Sequence, residues 1–221
     1  MRTLSDFDSG TKHATLLVFL PPAMTTLEDI VERGFIAAMR TRNIAADVLL
    51  AEITHEHVMQ QRVAGTLRET VIAPALARGY RQIWLAGISL GAFNALHYAA
   101  QFADDVTGLC LLAPYPGTGD ILREIGQAGG PAAWAAKPGQ SRSDEREWWH
   151  WLWQESQAGS AAKPIYVGLS ASDRFLHGQQ MLAKLLPSER IDLIPGTHDW
   201  PAWFDLWQRW LDRGWLDRSS L

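Results

Sequence analysis

Arg81-Gln-Ile-Trp-Leu-Ala-Gly-Ile-Ser-Leu-Gly-Ala-Phe-Asn-Ala-Leu-His-Tyr-Ala-Ala100 anchors every other inference about this chain. It opens on a short apolar run, Ile83 to Ala86, which suits a strand buried on both faces of a parallel sheet. It closes on Ala92 to Ala100, rich in good helix formers. Between them Gly87-Ile88-Ser89-Leu90-Gly91 makes a Gly-x-Ser-x-Gly turn from strand into helix. Such a turn needs small residues two before and two after the serine, because neighbouring backbone crowds those positions. It holds the serine in strained φ/ψ with its hydroxyl proud of the sheet. The five-residue pattern recurs by chance, but a strand before it and a helix after it make Ser89 the candidate nucleophile.

Outward from this turn, strand and helix patterns alternate. Met1 to His13 reads as a loosely ordered polar lead, and Thr15 to Leu20 as a strand stopped by Pro21-Pro22. Thr26 is placed to cap a helix running to about Arg42, with Glu28 and Asp29 facing the helix dipole. Ala46 to Ile53 is a second strand, and Met59 to Arg78 a helix that Pro74 should kink or break. Val106 to Ala113, Lys163 to Leu169 and Arg190 to Ile194 read as further strands. Gly178 to Leu186 and Trp200 to Arg213 read as helices. This order predicts an α/β fold with a mostly parallel, doubly wound sheet, helices on both faces, and a single domain over 1–221. Tyr115 to Ala162 breaks the alternation with glycines, prolines and a tryptophan-rich helix from about Asp144 to Glu155. It is expected to form a small cap inserted at about 115–162.

Composition narrows the function classes. The chain has 221 residues, 47% hydrophobic and 20% charged, as expected of one globular domain. A net charge of −4 leaves no basic footprint for nucleic acid. The single cysteine, Cys110, lies in an apolar run and reads as a buried, inert thiol; without a second one no disulfide forms within the chain. The apolar stretch Ala14 to Leu20 is short, lacks a basic lead-in and runs into Pro21-Pro22, so it reads as neither a secretory signal nor a membrane span. The expected compartment is the cytoplasm.

Ligands of open parallel sheets bind beyond the carboxyl ends of the strands. A serine hydroxyl is a weak nucleophile and needs a base there, usually oriented by a carboxylate. Strand Ile165 to Leu169 runs into Ser-Ala-Ser-Asp-Arg, placing Asp173 past its carboxyl end, and strand Ile191 to Ile194 runs into Pro-Gly-Thr-His-Asp, placing His198 likewise. The chain order is Ser89, Asp173, His198.

With these residues the chain resembles the α/β-hydrolases, in a compact, esterase-like form, over nearly all its length except the cap. The resemblance implies an α/β-hydrolase fold, with Ser89 as nucleophile, His198 as general base then acid, and Asp173 as the orienting carboxylate. Two N–H donors are needed for the developing oxyanion. One is the backbone N–H of Leu90 at the start of its helix. The other is expected in the loop Leu20-Pro-Pro-Ala-Met-Thr25, where the family often carries His-Gly. Here neither proline can donate, which leaves Ala23 as the nearest donor and Met24 as the alternate.

The remaining candidates are weaker. His97 lies eight residues into the helix and points away from the hydroxyl, so a structural role is expected. His55-Glu56-His57 offers too few ligands for a metal, and no metal or organic cofactor is implied. Asp199 competes for the carboxylate role, but adjacency to His198 makes the geometry difficult. Asp192 is expected to face solvent. Trp203, Trp207 and Trp210 recur at helical spacing and read as core. Trp148, Trp149, Trp151 and Trp153 do not share one helical face, so some must be exposed, contact the sheet or meet a ligand; the segment is either an apolar roof over Ser89 or a cap merely packed on its own domain. Met24, Tyr115, Trp149 and Trp153 are the candidate substrate contacts.

The expected activity is hydrolysis of a small or medium carboxylic ester or thioester through an acyl-enzyme. The rivals are acyl transfer to an acceptor other than water and a non-catalytic binding protein that kept the fold.

Overall fold

A computed structural model describes residues 1–7, 13–54, 56–57, 62–137 and 144–216. The strands β1 (Thr3–Asp6), β2 (Thr15–Leu20), β3 (Asp47–Ala51), β4 (Gln82–Ile88), β5 (Gly108–Leu112), β6 (Ile165–Ser170) and β7 (Ile191–Ile194) form one sheet in the order β1-β3-β2-β4-β5-β6-β7. All neighbours pair in parallel except β1, which lies antiparallel on β3. The helices are α1 (Leu27–Glu32), α2 (Phe35–Thr41), α3 (63–77), α4 (Leu90–Gln101), α5 (Gly119–Gln127), α6 (Pro131–Ala135), α7 (Glu145–Gln157), α8 (Leu176–Ala183) and α9 (Trp200–Asp212).

The side-chain period of a strand divides the interior into two layers. Leu16, Val18, Ile83, Leu85, Leu109, Leu111, Ile165 and Val167 face one core, shared with α3, α4, α7 and Leu182 of α8. Leu17, Phe19, Trp84, Ala86, Cys110 and Leu112 face the other, shared with α1, α2 and α9. Right-handed crossovers account for which helix lies where. The chain crosses the sheet one way from β2 to β3, and the opposite way from β3 to β4 and onward to β7. The two sets of helices therefore fall on opposite faces. The reversal creates a switch point between β2 and β4, the position at which such sheets bind ligands.

Several local expectations are corrected. Residues Thr3 to Asp6 are an edge strand, not a loose lead; their alternating exposure suits a half-buried antiparallel edge. The first helix divides into α1 and α2 because Gly34 takes φ +85° and ends the run. In α3 Pro74 follows a π-helical turn, Arg68–Ile72, which absorbs the missing N–H and the crowding of the ring. The Met59 start expected for that helix lies outside the described residues. Asp192 is buried, accepting from Trp210 Nε1 at 3.0 Å and from Nη1 and Nη2 of Arg213 at 2.6 and 2.7 Å. Cys110 is buried in β5, and burial raises its thiol pKa, keeping it protonated.

Among the described residues of 115–162, Trp148, Trp149 and Trp151 are buried and Trp153 is half-buried. Helix α7 packs on α4 as the crossover between β5 and β6, with Trp148 edge-on to Phe93 at 6.1 Å. Helices α5 and α6 precede it as a short excursion. No described helix is long and apolar enough to cross a membrane.

Candidate active site

At the end of β4 the chain turns sharply into α4, and Ser89 takes φ 53°, ψ −111°. The turn is jammed against its surroundings. A Cβ at Gly87 would lie 2.5 Å from the Ala92 nitrogen, and one at Gly91 would lie 2.1 Å from the Leu20 carbonyl oxygen. Only hydrogen fits at either place. Three backbone bonds fix the serine between strands: Ser89 N–H donates to Leu112 O at 2.9 Å, and Ser89 O accepts from Phe93 N–H at 3.0 Å and Tyr115 N–H at 3.1 Å.

The loops after β6 and β7 bring two partners to that hydroxyl. His198 Nε2 lies 2.8 Å from Ser89 Oγ, and His198 Nδ1 lies 2.7 Å from Asp173 Oδ2. An ionised carboxylate can only accept, so Nδ1 carries the hydrogen and Nε2 offers its lone pair to the serine O–H. The two loops are tied by Ala171 N–H to Ile194 O at 2.8 Å and Ser172 N–H to Gly196 O at 2.9 Å. Burial alone would raise the Asp173 carboxyl. Hydrogen bonds from His198, from Phe175 N–H at 2.8 Å and from Gln179 Nε2 at 3.1 Å outweigh it and hold the group below the usual carboxylate range. The imidazole is gripped edge-to-face by Phe175 and Trp203, each with ring centroids 5.1 Å away. The three residues expected from the sequence thus meet in one hydrogen-bonded chain.

Leu90 opens α4, so its N–H has no intrahelical acceptor and sits at the positive end of the helix dipole. The loop after β2 abuts the same turn through Leu20 and Pro21. Within it Thr25 Oγ1 donates to Pro22 O at 2.8 Å, and Met24 takes φ 59° and is fully exposed. Ala23 is exposed beside it.

Tyr115 lies one ring further from His198. Its ring lies 5.2 Å from that of Phe175, which in turn contacts His198. The tryptophan candidates part from this group. Trp149 is fully buried, stacked on Trp148 at 4.7 Å with its Nε1–H given to Pro116 O at 3.1 Å, so it has no surface to offer a ligand. Trp153 is half-buried on α7 against His150. For Trp149 the reason is the crossover role of α7, which turns that ring into the core. Trp203, Trp207 and Trp210 are core residues as well.

The other titratable candidates have plain occupations. Asp199 caps α9, its Oδ1 accepting from Ala202 N–H at 3.1 Å while Oδ2 accepts from Thr197 Oγ1. His97 packs on Phe93 at 4.6 Å; burial lowers it to about 4 against the opposing pull of Glu145 and Asp144, which keeps it neutral at pH 7. His55 lies outside the described residues. His57 and Thr54 form a reciprocal turn, and no group of three potential metal ligands occurs among the described residues. Phe175 and Gln179 were not foreseen. Both follow Asp173 closely in sequence, but nothing in an ordinary helix start marks them.

No family model and no curated sequence matches the chain. Solved structures do match its fold. Est1E from Butyrivibrio proteoclasticus aligns with a TM-score of 0.65 at 16% identity, covering 99% of this chain and 93% of that one. A ferulic acid esterase aligns at 0.62 and 13%, covering 96% and 87%. The S-formylglutathione hydrolase FrmB from Staphylococcus aureus aligns at 0.60 and 13%, covering 94% and 84%. The fold is that of the α/β-hydrolases.

Proposed function

We propose that this protein is a serine hydrolase that cleaves a carboxylic ester or thioester through an acyl-enzyme. The observation that carries the reading is the chain Ser89–His198–Asp173, linked at 2.8 and 2.7 Å, on a serine held at positive φ. The names of the similar structures, a ferulic acid esterase and an S-formylglutathione hydrolase among them, support the same reaction class.

In this reading Ser89 Oγ attacks the carbonyl carbon as its proton passes to His198 Nε2. Asp173 keeps the imidazole in the required tautomer and stabilises the imidazolium that forms. The oxyanion receives the N–H of Leu90 and that of Ala23, with Met24 N–H the alternate. Each such donor is worth about 3–4 kcal/mol of barrier. His198 then returns the proton to the leaving alcohol or thiol. Water, deprotonated by the same nitrogen, releases the acid and restores Ser89. Met24 and Tyr115 are the substrate contacts this geometry favours, because one stands exposed in the oxyanion loop and the other joins the aromatic group around His198.

The test is labelling of the intact protein with a fluorophosphonate, followed by a panel of p-nitrophenyl esters and acyl thioesters. Ser89 is the expected site of attachment, and Ser89→Ala should abolish both labelling and turnover. Turnover by Ser89→Ala above a few per cent of wild type would overturn the assignment. Product that appears only when an alcohol or amine acceptor is supplied would make the protein an acyltransferase.

A further inference from the structure

We infer that Gln179 is a positioning residue of this site, a neutral amide that shares the charge of Asp173 and ties the acid to the loop beside the nucleophile. The inference rests on the triad reading above.

Gln179 sits in α8 and is fully buried. Its Nε2 lies 3.1 Å from Asp173 Oδ2 and 3.2 Å from Pro114 O. Both neighbours can only accept, so the amide must turn its NH2 toward them and the assignment of N and O follows from chemistry. Gln179 Oε1 is then left buried without a partner. A buried acceptor with no protein partner carries a desolvation cost that a methionine or leucine of similar size would avoid. Packing alone therefore gives no reason for an amide at this position; the two hydrogen bonds do.

Those bonds have a definite place in the site. Asp173 Oδ2 takes two donors, His198 Nδ1–H and Gln179 Nε2–H, while Oδ1 takes Phe175 N–H. The carboxylate is thereby held against rotation, with its charge spread over three donors as the imidazolium forms and disappears. Through Pro114 the same amide reaches the nucleophile, because the next residue, Tyr115, donates its N–H to Ser89 O at 3.1 Å. Helix α8 cannot drift from this loop. A Cβ at Gly178 would lie 2.5 Å from Pro116 Cγ, so the helix start and the 114–116 loop are in direct contact. One side chain spans the acid loop and the serine's backbone support.

The experiment compares the full-length wild type with Gln179→Met, measuring kcat, KM and the kcat/KM pH profile on p-nitrophenyl acetate, together with Tm. The expected result is a kcat lower by about 10–100-fold at nearly unchanged KM, the loss typical of a misplaced catalytic group. The pH profile should also shift, because Asp173 loses one of its three donors. Tm should change little, since the loss of two hydrogen bonds is offset by removal of the unpartnered oxygen. Wild-type kcat and pH profile with a lowered Tm would overturn the proposal and leave Gln179 a packing residue.

Gln179→Glu gives a second reading should the methionine variant not fold. Two facing carboxylates must share a proton, so its activity should collapse as pH rises through the range where the wild type is active. A profile superimposable on wild type would overturn the proposal. Activity remaining in Ser89→Ala would sink the triad reading itself. A dead Ser89→Ala beside a normal Gln179→Met would sink only the role given to Gln179.

Discussion

Replacing Ser89 by glycine and, separately, by alanine should separate the cost of the nucleophile's conformation from the chemistry it performs. Ser89 is held at φ 53°, ψ −111°, where any residue with a Cβ is strained. Such a conformation costs about 1–3 kcal/mol in a non-glycine residue. Both variants lose the hydroxyl and its bond to His198 Nε2, so that loss cancels between them. Alanine keeps the Cβ and the strain. Glycine releases the strain but gains unfolded-state freedom, which offsets about 0.4–1 kcal/mol. The balance favours glycine by about 1–2 kcal/mol, or about 2–8 °C in Tm for a chain of this size. Thermal and urea unfolding of the two proteins in one buffer measure it, and ester turnover should be lost in both by on the order of a millionfold. A glycine variant no more stable than the alanine variant would refute the claim that the turn is strained by its Cβ.

Asp173→Asn should slow turnover by roughly ten-thousandfold by leaving His198 in the wrong tautomer, whereas Asp199→Ala should cost about 1 kcal/mol of helix capping and spare kcat. Steady-state kinetics and urea unfolding distinguish them, and the reverse pattern would move the carboxylate role to Asp199. Gly91→Ala would bring a Cβ within 2.1 Å of Leu20 O. Relief requires the loop after β2, where the second oxyanion donor is proposed, to retreat by about 1 Å, which should lower kcat by about 100-fold. An unchanged kcat would place the second donor elsewhere. His97 is lowered from 6.5 to about 4 by burial, so between those values the unfolded chain binds a proton that the folded chain does not. Stability should therefore fall as pH drops through that window, and His97→Leu should flatten the fall in urea midpoints. Trp149→Ala should cost about 3–5 kcal/mol of core stability. A raised KM confined to long-chain esters, with stability intact, would restore the tryptophan helix as a roof over the site.

Much of the fold was legible because its strongest signals are local. The apolar runs at Thr15 to Leu20, Ile83 to Ala86 and Val106 to Ala113 mark buried strands on hydrophobicity alone. Capping at Thr26 is visible in three neighbouring residues, and the structure shows its reciprocal bonds to Asp29. The edge strand Thr3–Asp6 was missed because edges tolerate polar residues and leave no apolar run to detect. Asp192 was misplaced because alternation along a strand records which face a residue takes, while Arg213 arrives on that face only through the last helix.

The sequence by itself determined the turn around Ser89 and the chain order of Ser89, Asp173 and His198, because each residue sits at a strand end that local patterning reveals. Tertiary structure alone decided which helices cover which face. The handedness of successive crossovers sent α7 onto α4 and buried Trp148 and Trp149, where helical periodicity had left open a roof over the site. It also decided the company that Asp173 keeps. Gln179 and Pro114 are 65 residues apart in sequence, and their meeting depends on the contact of α8 with the loop after β5, which no single segment encodes.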